Sequence, residues 1–280
     1  MKVSYYPGCS LHATGKEYDE SMKAVSGALD ITLQEVDDWV CCGASSAHMT
    51  NYKLSVALPA RSIIAAEKEN LDVMVPCAAC FNRFKMAQHH LRHDDALKAE
   101  VEGIVGDTYQ DSVAVRNPID IIYTDIGLET IEAKVTRKLT GLKPVSYYGC
   151  LLLRPPEVCE FENYENPYMM DAILKALGAE PRKWSCGTDC CGGSLSIGKT
   201  EIVVHLCNKL MRMAREADAN CLVTACPLCM ANLDMRATEG LPVFYFTELM
   251  ALAMGLDGPN KWFKLHNVNP LPLMQSLGLQ

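Results

Sequence analysis

The sequence has little that would take the chain to a membrane or to a nucleic acid. No run approaches the roughly 20 consecutive apolar residues that span a bilayer. The opening MKVSYYPGCS lacks the apolar core and small-residue cleavage pattern of a signal peptide. Positive charge is scarce: 26 Lys and Arg stand against 34 Asp and Glu, a formal net charge of −8. That balance argues against a phosphate backbone as the main partner. No G-x-G-x-x-G occurs, so nothing supports flavin or nicotinamide binding by this chain. The expectation is a cytoplasmic protein with no membrane span and no nucleic-acid partner.

Against those absences stands an excess. The chain carries 14 cysteines, and a reducing compartment disfavours structural disulfides. Cysteines at patterned spacing in such a compartment more often bind metal or do redox chemistry.

The cysteines fall into a repeat. Val3–Cys9 reads VSYYPGC and Val145–Cys150 reads VSYYGC. CCGASS from Cys41 is answered by CCGGSL from Cys190, and LDVMVPCAAC, ending at Cys80, by NCLVTACPLC, ending at Cys229. Asp120–Tyr123 loosely answers Val243–Phe246. The first half is therefore C-x31-CC-x34-CxxC and the second C-x39-CC-x34-CxxC. Ten of the 14 cysteines belong to the pattern, and the second copy has about eight extra residues between Cys150 and Cys190. An identical CC-to-CxxC spacing in both copies indicates duplication. The halves are expected at 1–140 and 141–255, with a C-terminal extension at 256–280; the polar join carries Gly141 and Pro144.

Short β-branched or aromatic runs at Lys2–Tyr6, Ile31–Val36, Leu71–Val75, Pro144–Tyr148, Cys221–Thr224 and Val243–Phe246 read as strands. Helical segments lie between them, for example Lys16–Leu29, Thr50–Glu69, Tyr168–Leu177 and Lys199–Ala217. The alternation predicts an α/β fold of two duplicated, Rossmann-like halves with parallel sheets. Cys9, Cys77, Cys150 and Cys226 each follow a strand, which places cysteines at the strand C-terminal ends, the edge where ligands collect. Helix N-termini there favour thiolates. Single cysteines of this kind are often only small buried hydrophobes. Ten at repeating positions are not explained that way.

Two metal chemistries fit cysteine-rich sites. Zinc takes four thiolates in a tetrahedron. Here each half offers one CxxC, an adjacent pair and a lone cysteine. Adjacent side chains diverge, which suits a larger object with several irons, such as an iron–sulfur cluster. Spacing favours iron–sulfur and leaves zinc as the rival.

Two copies of this pattern, filling roughly residues 1–255, resemble the CCG-domain proteins, and among them the B subunit of heterodisulfide reductase. The Tyr-x-x-Gly-Cys phrase at Tyr5–Cys9 and the GCxxxRP phrase at Gly149–Pro155 carry the same likeness. The resemblance implies two noncubane [4Fe-4S] clusters. One would be held by Cys9, Cys41, Cys42, Cys77 and Cys80, the other by Cys150, Cys190, Cys191, Cys226 and Cys229. It further implies reductive cleavage, or the reverse formation, of a small disulfide such as that joining coenzymes M and B. Electrons would come from two partners in a larger complex, an iron–sulfur subunit and a flavin-containing one. Splitting an S–S bond takes two electrons, which two facing clusters suit. The family pattern has a histidine after the second-half lead cysteine, where this chain has Leu151. The alternative is an electron-relay subunit of a related bacterial complex, in sulfur metabolism or aromatic-ring reduction, with no disulfide substrate of its own.

No C-x2-C-x2-C-x3-C-P run is present, so electrons must arrive from another subunit. Cys159, Cys207 and Cys221 have no first-half counterpart; Cys207 and Cys221 read as core, and Cys186, four residues before Cys190, is a substitute ligand candidate. His48 lies near the first CCG loop as a candidate proton donor or a plain surface residue, and His89, His90 and His93 read as a solvated helix face. Arg154 and Lys199 flank second-half motifs as candidate anion binders or ordinary surface charges. Trp262–Gln280 is either a partner-wrapping arm or a packed extension.

Overall fold

The computed structural model describes residues 1–44, 47–238 and 240–279. Among the described residues, seven strands form two parallel sheets: β1 Lys2–Tyr5, β2 Thr32–Glu35, β3 Val73–Met74, β4 Val115–Arg116, β5 Pro144–Tyr147, β6 Cys221–Thr224 and β7 Val243–Tyr245. The first sheet has the order β2-β1-β3-β4 and the second β5-β6-β7. β3, β5, β6 and β7 are buried along their whole length, as expected for strands covered by helices on both faces. Edge strand β2 is exposed or half-buried throughout.

The α/β expectation holds, and the helices fall close to where the pattern puts them, at Lys16–Ala28, Tyr52–Glu69, Met169–Ala176 and Thr200–Glu216. One part of the repeat is corrected. Residues Pro118–Ile126 are helical, not a strand, and the counterpart of β7 is β4 at Val115–Arg116. Two residues are too short a run for periodicity to reveal. Asn117 then caps the following helix by accepting from Asp120 N–H, and Pro118 sits at its first position.

Among the described residues the second sheet has no counterpart of β2. The chain after Ala179 still runs beside β5, where Arg182 N–H donates to the Pro144 carbonyl at 2.7 Å and Trp184 Nε1 to the Ser146 carbonyl at 2.9 Å. An indole takes the place of a ladder amide, so the edge is satisfied without a strand.

The halves grip each other reciprocally. The Lys16–Ala28 helix of the first packs on Phe246–Ala253 of the second, while Met169–Ala176 of the second packs on 118–134 of the first. Tyr18 stacks on Tyr245 with centroids 4.2 Å apart and planes 1° apart, and its hydroxyl donates to the Ala225 carbonyl. One continuous apolar core runs through both halves.

The C-terminal extension packs on the chain itself. Trp262 Nε1 donates to Glu20 at 2.7 Å, and the backbone N–H groups of Asn267 and Val268 donate to Asp234. His266 Nε2 lies 2.9 Å from Glu248 Oε1, both side chains fully buried. Burial pulls the imidazole pKa down, but Glu248, with Asp234 and Glu17 behind it, outweighs this and raises it. A histidine with a raised folded pKa contributes stability that is present below about 6.5, its unfolded value, and is lost as pH rises through the folded value. The urea midpoint is therefore expected to fall as pH rises past neutrality. His266→Ala, by stranding a buried carboxylate, should cost about 3–5 kcal/mol at acidic pH and flatten that dependence.

Candidate metal centre

Both sheets end in the same device. β1 runs into Pro7-Gly8-Cys9 and β5 into Tyr148-Gly149-Cys150. Gly8 and Gly149 have φ of +65° and +67°. A Cβ on Gly8 would lie 3.3 Å from Cys80 Sγ and 3.0 Å from the Tyr6 ring, and one on Gly149 would lie 3.2 Å from Cys229 Sγ. Glycine thus opens the left-handed turn and also the space beside the last sulfur of each set.

The tyrosines fix the true register of the repeat. Tyr6 donates to the Val40 carbonyl at 2.8 Å and Tyr147 to the Asp189 carbonyl at 2.7 Å, each immediately before a Cys-Cys pair. Tyr6 therefore matches Tyr147, and the two VSYY phrases are offset by one residue. Tyr5 turns elsewhere, to Asp19, and Tyr148 accepts from Met170 N–H. The letters alone align the wrong tyrosines because Pro7 is answered by Tyr148, so the shared VSYY phrase is out of step by one residue with the Gly-Cys that follows it.

The CxxC pairs sit at helix starts. Cys77 caps Ala78–His93 and Cys226 caps Pro227–Arg236, so the second cysteine of each pair lies in the first turn. Cys42 Sγ is 3.2 Å from Cys80 Sγ, and Cys191 Sγ is 3.7 Å from Cys229 Sγ. Gly43 N–H points at Cys41 Sγ at 3.5 Å and Gly192 N–H at Cys190 Sγ at 3.2 Å. Cys150 is within hydrogen-bonding reach of Cys190. Cys77 and Cys226 lie near enough across the halves to shift each other's ionisation, so the two sets adjoin. Cys9, Cys41 and Cys190 are exposed at the surface, Cys150 is half-buried, and the other six repeat cysteines are buried.

Thiols this close cannot all ionise. Hydrogen bonds from Cys41 and Cys80 pull Cys42 down to about 3, and Cys41 and Cys80 are pushed up in return. Contact with Cys150 pulls Cys190 down to about 6; Cys191 and Cys226 also fall, through Cys229. Each half thus holds anionic sulfur poised for a cationic centre. The four remaining cysteines behave differently. Burial alone drives Cys221 up, and burial first among other influences pushes Cys159 to about 11 and Cys207 to about 12 and raises Cys186. Cys186 lies beside Ser185 and Asp189.

Among the described residues, no three His, Cys, Asp or Glu side chains are arranged to hold a single metal ion. A lone zinc ion therefore finds no preformed trio. The thiols meet as neighbouring pairs around a glycine-cleared space, a donor set suited to a cluster that brings its own sulfide. The other candidates scatter. Arg154 and Lys199 are exposed, His89 and His90 are half-buried and His93 exposed, and half-buried His48 has its Nδ1 unpartnered. Half-buried Leu151 follows Cys150, and its carbonyl lies 3.8 Å from Cys159 Sγ. Sequence reading missed Asn82, Arg83 and Asn232. Asn82 joins the halves by donating to the Arg154 carbonyl at 2.7 Å, and Asn232 lies 3.6 Å from Cys191 Sγ. Their only sequence signal is a position within a turn of a CxxC cysteine.

The cysteine-rich domain model of the CCG type matches residues 3–85 and again 145–234. The chain belongs to that family. It is 30% identical to the 8-methylmenaquinol:fumarate reductase membrane anchor subunit of Wolinella succinogenes, over 95% of this chain and 96% of that one. It is 25% identical to the B subunit of the ferredoxin/F(420)H(2)-dependent CoB-CoM heterodisulfide reductase of Methanosarcina acetivorans, covering 91% of this chain and 90% of that one. A protein of Archaeoglobus profundus, named for its likeness to the heterodisulfide reductase B subunit, is 27% identical, with 92% of each chain covered. A crystal structure of a hypothetical protein from Helicobacter pylori shares the fold at a TM-score of 0.72 and 8% identity, covering 95% of this CCG protein and 51% of that chain. Over most of its length this CCG protein is therefore similar to heterodisulfide reductase B subunits. Among the described residues no helix is long and apolar enough to cross a membrane.

Gly8→Ala and Gly149→Ala are each expected to lower stability by about 1–3 kcal/mol, the usual toll of a side chain in a sparsely populated backbone region. Gly27→Ala, in a helix with no neighbour within 4 Å of the new Cβ, should instead leave it level or raise it slightly. Chemical denaturation of the three variants checks both.

Proposed function

We propose that each half holds a noncubane [4Fe-4S] cluster on its five repeat cysteines, and that the chain is the disulfide-reducing subunit of a heterodisulfide-reductase-like complex. The observation that carries this reading is the seam between the halves. There Tyr18 of the first donates to the carbonyl before Cys226 of the second, and Cys77 and Cys226 shift each other's ionisation, which would set the two cluster sites face to face. A disulfide takes up two electrons on becoming two thiolates, and clusters held by the two cysteine sets would supply one-electron chemistry for each.

The chain's own groups prepare the ground. The Cys42, Cys190, Cys191 and Cys226 sulfurs favour the thiolate that metal binding needs. Gly43 and Gly192 amides hold the exposed Cys41 and Cys190 sulfurs in place. Tyr6 and Tyr147 anchor the backbone just ahead of each Cys-Cys pair, fixing its aim. Arg154, exposed just past Cys150, offers a cation to an anionic substrate. Electrons arrive from partner subunits of the iron–sulfur and flavin kinds.

A second reading is favoured by the Wolinella relative, which is named as part of a quinol:fumarate reductase. In that case the same clusters relay electrons and no disulfide is split. Anaerobic iron and sulfide analysis, with EPR before and after adding candidate disulfides, separates the readings. About eight irons with matching sulfide, and a signal altered by a disulfide, are expected. Intact clusters indifferent to every disulfide would leave the relay. Stoichiometric zinc without sulfide would end both.

A further inference from the structure

The duplication supplies an internal control, because equivalent positions can be compared one by one. With Cys80 matched to Cys229, Arg83 stands where the second half has Asn232, and Lys85 where it has Asp234. With Cys41 matched to Cys190, Val40 stands where the second half has Asp189. All three differences make the first site more positive. Most of these charges are answered locally. Lys85 pairs with Glu160, Asp189 pairs with Lys209 at 2.7 Å, and Asp234 accepts from the Asn267 amide.

Arg83 is not answered. Among the described residues its guanidinium has no carboxylate partner and donates to the neutral Asn82 Oδ1 at 2.7 Å. It is half-buried one turn beyond Cys80, close enough to the Cys42 and Cys159 sulfurs for them to act on it. Asn232 offers Cys191 only a neutral amide, at 3.6 Å.

Reduction adds negative charge to a cluster, so a nearby fixed cation favours the reduced form and raises the potential. Hydrogen bonds to sulfur do the same, and there the second half has the advantage, through Gly192 and Asn232. The field of a dipole falls off faster than that of a full charge, however, and a half-buried guanidinium is poorly screened. Arginine also keeps its charge at any working pH. Asp189 lies next to Cys190 and, being paired with Lys209, adds only a small share of the same imbalance, as does the greater exposure of Cys9 compared with Cys150.

We propose that Arg83 sets the direction of electron flow within the chain, making the first-half site the electron sink. A one-electron donor on the partner would be oxidised as it gives up its electron, which would enter at the second-half site and come to rest at the first, leaving that site reduced by one electron. This rests on the two-cluster reading above. Arg83 is a potential-setting residue that acts through the cluster and touches no reacting atom.

The test is an anaerobic redox titration with dithionite and mediators, followed by EPR, with iron and sulfide measured in each sample. In the wild-type chain two reduction steps are expected. Arg83→Gln should move the higher step down and leave the lower one in place, and Arg83→Lys should restore it. Asp189→Asn should move the lower step up, narrowing the gap even if Arg83→Gln loads poorly. If Arg83→Gln keeps its iron and both steps stay put, or if Asp189→Asn leaves the gap unchanged, the inference falls and the cluster reading stands. A wild-type chain without iron and sulfide overturns both.

Discussion

Ten sulfurs crowded at the C-terminal edges of two parallel sheets are the constraint on which the rest of the structure depends. Thiols in contact compete for ionisation, so each set holds thiolates beside thiols driven the other way. Such an arrangement is costly to bury unless something cationic answers it. The scaffold meets the demand locally, with glycines that clear space beside Cys80 and Cys229 and with tyrosines that pin the backbone before each Cys-Cys pair.

The same constraint explains why the halves are not independent. A cysteine set in one half finishes against the other, through Cys77 and Cys226, and the helices that flank it are exchanged reciprocally. Tyr18, stacked on Tyr245 and bonded to the carbonyl before Cys226, ties a first-half helix to a second-half ligand loop. The extension after residue 256 closes the seam by holding Glu20 of the first half and Asp234 and Glu248 of the second.

Duplication usually preserves chemistry, and here the backbone device is preserved while the charges are not. Arg83 against Asn232, and Val40 against Asp189, make two corresponding sites electrically unequal. A pair of identical centres has no reason to pass an electron in one direction. An unequal pair does.

The sequence by itself determined the class of fold, the doubling, and the ten cysteines, because spacing and strand–helix alternation are local and leave a direct trace in the letters. It also marked the strand ends where those cysteines lie. It misplaced the last repeated phrase at Asp120–Tyr123, since β4 at Val115–Arg116 is held by its neighbour β3 and not by its own pattern. It aligned Tyr5 with Tyr147, since nothing in the letters says which hydroxyl reaches the carbonyl before a Cys-Cys pair. Only the tertiary structure brought Cys77 towards Cys226 and left Arg83 without a carboxylate among the described residues. Those relations join residues far apart in the chain, and contact across such distances is fixed by packing, which no local pattern records.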